Sequence, residues 1–162
     1  MLLGVMADSH DNLFKIEEAV NFFNQERVDL VLHAGDFIAP FVVRKFKMLR
    51  CPLIGVFGNN DGEKKGLKDK ILSIGGEIYS PPYSFIKNGK RILLLHDPEK
   101  LKKIDLNPFD LIIYGHTHQS EIKRKEGKVF INPGECGGWL TGKSTIALLN
   151  LDTLQVIIKS LE

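Results

Sequence analysis

Four of the five histidines stand directly after apolar runs or within the turns that follow them, beside other residues able to hold a cation. Asp8-Ser9-His10 follows Leu2 to Ala7, Gly35-Asp36 follows Leu30 to Ala34, and Gly58-Asn59-Asn60-Asp61 follows Leu53 to Phe57. His96 closes the run Arg91 to Leu95, and Gly115-His116-Thr117-His118 follows Leu111 to Tyr114. Mixed carboxylate, imidazole and amide donors without thiolate suit Mn²⁺, Fe, Co²⁺, Ni²⁺ or Zn²⁺. The His-x-His spacing adds weight, because alternate residues of an extended chain point the same way. Each stretch alone also has a plainer reading. Asp8 or Asp11 fits the N-cap of a following helix, Gly35-Asp36 fits a turn, and Gly-Asn-Asn-Asp is rich in turn formers. Their joint occurrence after five apolar runs favours a metal site.

The elements that must position these residues read as follows. Short apolar runs at Leu2 to Ala7, Leu30 to Ala34 and Leu53 to Phe57 have the length and composition of buried strands. Between Leu13 and Asn24, the residues Ile16, Ala19, Val20 and Phe23 recur at helical spacing. Pro40 to Leu49 reads as a second helix, with proline tolerated in its first turn, and the charged stretch from Glu63 to Lys70 starts a third. This β-α-β-α-β order predicts parallel strands joined by right-handed crossovers. The second half is mostly β. Tyr83 to Lys87 and Arg91 to Leu95 flank Asn88-Gly89, a hairpin turn signal. Further strands are expected at Leu111 to Tyr114, Val129 to Ile131, Thr145 to Leu149 and Gln155 to Lys159, with turns at Gly127-Lys128 and Asp152-Thr153. In open α/β sheets, ligand sites form at the carboxyl ends of strands, which is where the donors lie.

Composition bounds the rest. The chain has 162 residues, the size of one ordinary domain, and one α/β domain over residues 1–162 is expected. Formal net charge is +2, which gives no sign of the basic stripe of a nucleic-acid binder. Two cysteines, Cys51 and Cys136, do not make a disulfide framework, so a cytoplasmic chain with reduced thiols is expected. Asp8 stops the apolar N-terminus before it resembles a signal peptide, and no run approaches the roughly 18 apolar residues of a membrane span.

The ordered set Asp8-Ser9-His10, Gly35-Asp36, Gly58-Asn59-Asn60-Asp61, His96 and Gly115-His116-Thr117-His118 resembles the signature of the calcineurin-like metallophosphoesterases. Together with Asn132-Pro133-Gly134-Glu135 and the short length, it is similar to their small bacterial and archaeal phosphodiesterase branch, from residue 8 to about 138. The resemblance implies a four-layer fold, a two-sheet mixed β-sandwich flanked by helices on both faces. It implies two divalent metals, Mn²⁺ or Ni²⁺ foremost. Asp8, His10, Asp36 and His118 would hold one; Asp36, Asn59, His96 and His116 would hold the other, with Asp36 bridging. A hydroxide activated between the metals would attack phosphorus in a small phosphodiester or nucleotide. Asn59, Asn60 and His96 are the catalytic candidates, Asn60 and Gly134 the substrate-binding ones, and Asp61 would orient a ligand or a water. A homodimer is implied by resemblance alone.

The chain departs from the pattern in two places. Many relatives carry histidine where Asn60 stands, a position resembling a general acid, and Asn60 cannot donate a proton in that sense. Relatives often continue Gly-His after the position of His96, whereas Asp97-Pro98 follows here. Two other functions compete. One is a non-catalytic scaffold, as in a retromer subunit of the same fold; the other is a phosphomonoesterase or nuclease. An intact ligand set opposes the first, and the short, nearly neutral chain opposes a nuclease gripping long nucleic acid. His33 reads as structural, Cys136 as packing, and Trp139 as pocket rim, interface or core.

Overall fold

The computed structural model describes residues 1–161. Its strands form two mixed sheets packed face to face. The first sheet runs β11 (Gln155–Leu161), β10 (Ser144–Asn150), β1 (Leu2–Met6), β2 (Leu30–His33), β3 (Leu53–Val56), β4 (Glu77–Tyr79). The second runs β5 (Tyr83–Lys87), β6 (Lys90–Leu94), β7 (Leu111–Ile113), β9 (Lys128–Asn132), β8 (Glu121–Lys125). The β1-β2-β3 ladder is parallel, as is the β6-β7-β9 ladder, so both sheets present several carboxyl ends at one edge.

Burial explains the layers. Leu3, Val5, Leu30 and Leu32 of the first sheet meet Ile92, Leu94, Leu111 and Ile113 of the second in a fully apolar interior. Strands buried on both faces read as continuous apolar runs, which is why they were legible. The other face of the first sheet packs on α1 (Leu13–Gln25), α2 (Val43–Phe46) and α3 (Lys64–Ser73), through Ile16, Phe23, Phe46, Leu67 and Ile71. The outer face of the second sheet is covered more thinly. Leu93, Leu95 and Ile112 lie under Leu101, Ile104 and Phe109, from a 3-10 helix over Pro98–Lys103 and the loop after it. Four layers result, with α-helices on one outer face and a 3-10 helix on the other.

Several local expectations are corrected. The expected helix over Pro40 to Leu49 is a 3-10 turn, Pro40–Val42, followed by the four-residue α2. Asn24 curtails it: its side chain donates to the Met48 carbonyl at 2.7 Å and accepts from Arg50 N at 2.9 Å, turning the chain toward Pro52. The cap of α1 is Asn12, not Asp8 or Asp11, with its Oδ1 accepting from Lys15 N. Asp11 instead accepts from Ala39 N. The second hairpin turn is Glu126-Gly127, where both residues have positive φ, and not Gly127-Lys128. No helix among the described residues is long and apolar enough to cross a membrane.

Candidate metal centre

Seven donors from five loops meet at the shared edge of the sheets. Asp8 and His10 come from the loop after β1, Asp36 from the loop after β2, and Asn59 from the loop after β3. His96 follows β6; His116 and His118 follow β7. Five of them, Asp8, His10, Asp36, His116 and His118, have φ between 42° and 70°. Left-handed backbone is uncommon outside glycine, and its concentration at one place marks a site held by its surroundings.

Two clusters are resolved. Asp8, His10 and His118 bring one ligand atom each within 4.8 Å of the others, and so do Asp8, Asp36 and His96. In the first, His10 Nε2 lies 3.7 Å from Asp8 Oδ1, and His118 Nε2 lies 3.6 Å from the same oxygen. The rings of His10 and His118 stack with centroids 5.0 Å apart. In the second, Asn59 Oδ1 sits 2.9 Å from His96 Nε2 and 3.0 Å from His116 Nδ1. Asp36 Oδ2 of the second cluster also reaches the first, lying 3.4 Å from His96 Nε2 and 3.6 Å from His10 Nε2.

The donor set fits metal ions. Asp8 Oδ1, His10 Nε2 and His118 Nδ1 are buried without a hydrogen-bond partner, and all three belong to residues of the first cluster. An unsatisfied buried polar atom costs about 1–3 kcal/mol, so three in one place point to a cation that satisfies such groups. His96 makes the same point differently. Its Nδ1–H donates to the Ala34 carbonyl at 2.8 Å, leaving Nε2 to face Asn59 Oδ1 and Asp36 Oδ2. Both ring nitrogens thus face acceptors, which requires either a second proton or a metal at Nε2. Burial opposes protonation of His96, yet Asp36 beside it holds its pKa above the ordinary imidazole value. His10 is raised chiefly by Asp8, with burial opposing. Burial alone would raise Asp36, but His96 and the Asn60 hydrogen bonds hold it well below the usual carboxylate range.

Supporting groups fix the donors. Asp61, fully buried, accepts from Asp36 N at 3.1 Å, Gly58 N at 2.7 Å and Ile38 N at 2.7 Å, tying two ligand loops together. Asp8 Oδ2 accepts from His116 N at 2.9 Å, linking the sheets across the site. Gly58 allows close approach: a Cβ there would stand 2.0 Å from Asp36 Oδ1. Asn60 donates from its backbone to Asp36 Oδ1 at 2.9 Å and from its side chain to Asp36 Oδ2 at 2.7 Å.

Gly134 is not brought into the cluster. It is buried against Thr145 and Ser120, and its amide donates to Asn132 Oδ1 at 2.9 Å, so it shapes its own loop. The adjacent Glu135, which sequence reasoning passed over, lies closer to the chemistry. Its Oε1 is 3.3 Å from His118 Nδ1, off the line a hydrogen bond needs, so the contact is electrostatic. The carboxylate also accepts from Trp139 N, Leu140 N, Thr141 N and Thr141 Oγ1. Against burial, those bonds keep its pKa low. A buried acid within an Asn-Pro-Gly-Glu turn was the signal available. His33 packs on Phe37 with ring centroids 3.5 Å apart, its Nε2 3.0 Å from Ser9 Oγ and its Nδ1 accepting from Gly35 N. Trp139 is exposed at the rim, where its Nε1 donates to the His10 carbonyl. Cys136 is buried.

Fold and site together define a metal-binding α/β phosphoesterase. Residues 1–154 match the calcineurin-like phosphoesterase superfamily domain, and the chain belongs to that family. It is 35% identical over 156 residues to phosphodiesterase MJ0936 of Methanocaldococcus jannaschii, covering 94% of each chain. It is 27% identical over 176 residues to phosphodiesterase YfcE of Escherichia coli, covering 97% of this chain and 91% of that one. Among solved structures, a novel archaeal phosphodiesterase superposes with a TM-score of 0.94 at 34% identity, covering 99% of this chain and 100% of that one. Vps29 of Entamoeba histolytica, determined with Zn²⁺, shares the fold alone, with a TM-score of 0.69 at 22% identity over 99% of this chain and 91% of that one.

Proposed function

We propose that the chain is a metal-dependent phosphodiesterase acting on small phosphodiesters or nucleotides, with residues 1–162 as one catalytic domain. The observation that carries this reading is the convergence of Asp8, His10, Asp36, Asn59, His96, His116 and His118, with buried polar atoms of Asp8, His10 and His118 left unsatisfied. Two divalent cations, Mn²⁺ or Ni²⁺ foremost, would supply Lewis acidity and a nucleophile drawn from water at neutral pH. Asp8, His10, Asp36 and His118 would hold one, and Asp36, Asn59, His96 and His116 the other.

The protein's own groups set the terms. Asp36 stays ionised over the working pH range and joins the clusters through one oxygen. The Ala34 carbonyl fixes the His96 tautomer with its Nε2 lone pair toward the site, the role such outer partners play at metal centres. Asn60 stands at the mouth, where its amide donates to an oxyanion: Asp36 Oδ2 now, a phosphoryl oxygen in the complex. With no imidazole at that position, aryl leaving groups, which need no protonation, are cleaved faster than alkyl ones. The unpaired thiols of Cys51 and Cys136 fit a reducing cytoplasm. A homodimer rests on family resemblance, and light scattering reads it directly.

The deciding experiment is hydrolysis of bis(p-nitrophenyl) phosphate and p-nitrophenyl phosphate by chelator-treated protein given Mn²⁺ or Ni²⁺. Diester turnover exceeding monoester turnover, abolished by Asp36→Ala, is the expected result. Inactivity of the native protein with every divalent first-row metal would overturn the reading.

A further inference from the structure

Beside the second cluster lies a cleft of about 330 Å³, whose lining includes Asn59, His96 and His116. Two lysines stand on its walls: Lys64, the first residue of α3, and Lys100, in the 3-10 helix. We propose that this cleft receives one arm of the diester and that Lys64 and Lys100 bind a second anionic group on that arm. The preferred substrate is then a phosphodiester bearing a further phosphate. This rests on the phosphodiesterase reading and adds which diester.

Three observations support it. First, neither lysine has a carboxylate partner among the described residues, while their neighbours do: Lys65 pairs with Asp69 at 3.0 Å, and Lys102 pairs with Glu99. Second, Lys64 is held at the cleft. Its Nζ lies 5.7 Å from the ring centroid of Phe57, a lining residue, within reach of a cation–π contact. Third, the wall is net positive: it carries the two lysines against one carboxylate, Asp97, whose Oδ1 accepts from Glu99 N at 2.9 Å. The floor therefore offers the metal-binding donors, and the walls offer two cations against one carboxylate. A cleft of this volume sits at the small end of ligand sites. It suits one nucleotide-sized arm and excludes a duplex.

The test compares two substrates that differ in one group: thymidine 5′-(p-nitrophenyl phosphate) and its 3′-phosphorylated form. With the Mn²⁺-loaded protein, the 3′-phosphate is expected to lower KM about tenfold, the combined effect of two partly exposed ion pairs. The ratio should shrink as salt rises. In Lys64→Ala/Lys100→Ala the ratio of KM values falls toward one, and in Lys64→Arg/Lys100→Arg it is retained. Equal KM values in the native protein, or a ratio untouched by the double alanine variant, would overturn the proposal. If neither diester is hydrolysed, the phosphodiesterase reading fails separately. Calorimetric titration of the metal-free protein with thymidine 3′,5′-bisphosphate and thymidine 5′-monophosphate then decides: tighter, lysine-dependent binding of the bisphosphate supports the subsite, and equal binding ends it.

Discussion

Substituting Gly58 by alanine tests whether the second cluster depends on close approach of backbone and carboxylate. The added Cβ would stand 2.0 Å from Asp36 Oδ1, 2.4 Å from Asp36 N and 2.7 Å from Asp36 Cγ. An ordinary van der Waals separation is about 3.5 Å, so the carboxylate or the loop must retreat by about 1.5 Å. Such a shift breaks the 2.9 Å bond from Asn60 N and draws Oδ2 from its place between His10 and His96. Overpacking of this kind costs about 1–3 kcal/mol, equivalent to a fall in Tm of about 5 °C for a chain this long. Disturbing what positions a metal ligand weakens affinity by about 10–100-fold. Isothermal titration of chelator-treated protein with Mn²⁺ reads the affinity, and a thermal melt reads the stability. Gly62→Ala is the control, because a Cβ there meets nothing within 4 Å. If Gly58→Ala binds Mn²⁺ as the native protein does, the bridging role of Asp36 is wrong. If Gly62→Ala weakens binding equally, the loss reflects loop entropy and not the collision with Asp36.

Three further outcomes follow from the same geometry. Glu135→Gln removes the charge facing His118 and weakens first-cluster metal affinity by about tenfold; an unchanged titration would make Glu135 purely a loop anchor. Asn60→His raises turnover of alkyl diesters by about 100-fold, the scale of general acid catalysis, with little change for aryl diesters; equal gains on both would refute a leaving-group role. The stability of the metal-free protein depends on pH from both sides. Asp36 and Glu135, with lowered pKa values, stabilise it above the ordinary carboxylate range of about 4, and this is lost as pH falls through their folded values. His10 and His96, with raised values, stabilise it fully below about 6.5, and this is lost as pH rises through their folded values. Urea denaturation should therefore show greatest stability between those limits. Metal binds the neutral imidazoles, so Mn²⁺ affinity should rise with pH where metal-free stability declines.

What could be read from the sequence followed burial. β1, β2, β3, β7 and the last three residues of β6 are mostly apolar on both faces and were legible as runs. β8, Glu121–Lys125, is exposed along its whole length and carries Glu, Lys, Arg and Lys around one isoleucine. It is held by pairing with β9 and leaves no periodic trace. β4 is three residues long at the sheet edge, too short to register. Asn88-Gly89 was legible because both residues adopt the positive φ that a two-residue hairpin demands. The seven donors were legible as residue types at strand ends. Glu135 was not, since nothing local says that a turn acid will lie against a histidine 17 positions earlier. Lys64 and Lys100 were hidden among other lysines, and only the fold shows which of them lack a carboxylate partner among the described residues.

Left-handed backbone at five donors has a thermodynamic consequence. At about 1–3 kcal/mol for each such residue, the site costs at least about 5 kcal/mol, comparable with the whole stability of an ordinary domain. Local hydrogen bonds offset part of it: Asp61 receives Asp36 N, the Gly35 carbonyl receives Asp8 N, and the Asp36 carbonyl receives His10 N. Those bonds hold the loops but leave Asp8 Oδ1, His10 Nε2 and His118 Nδ1 unsatisfied. A cation at the clusters would relieve the second cost, and it would add nothing to the first where the ligands keep this backbone on binding. Saturating metal should accordingly raise the unfolding free energy by the full linkage amount, about 4 kcal/mol at 1,000 times Kd, read as a rise in Tm. Far-ultraviolet circular dichroism should not change. A large spectral change on adding Mn²⁺ would show that the loops are ordered by the metal, and the strain would then belong to the bound state alone.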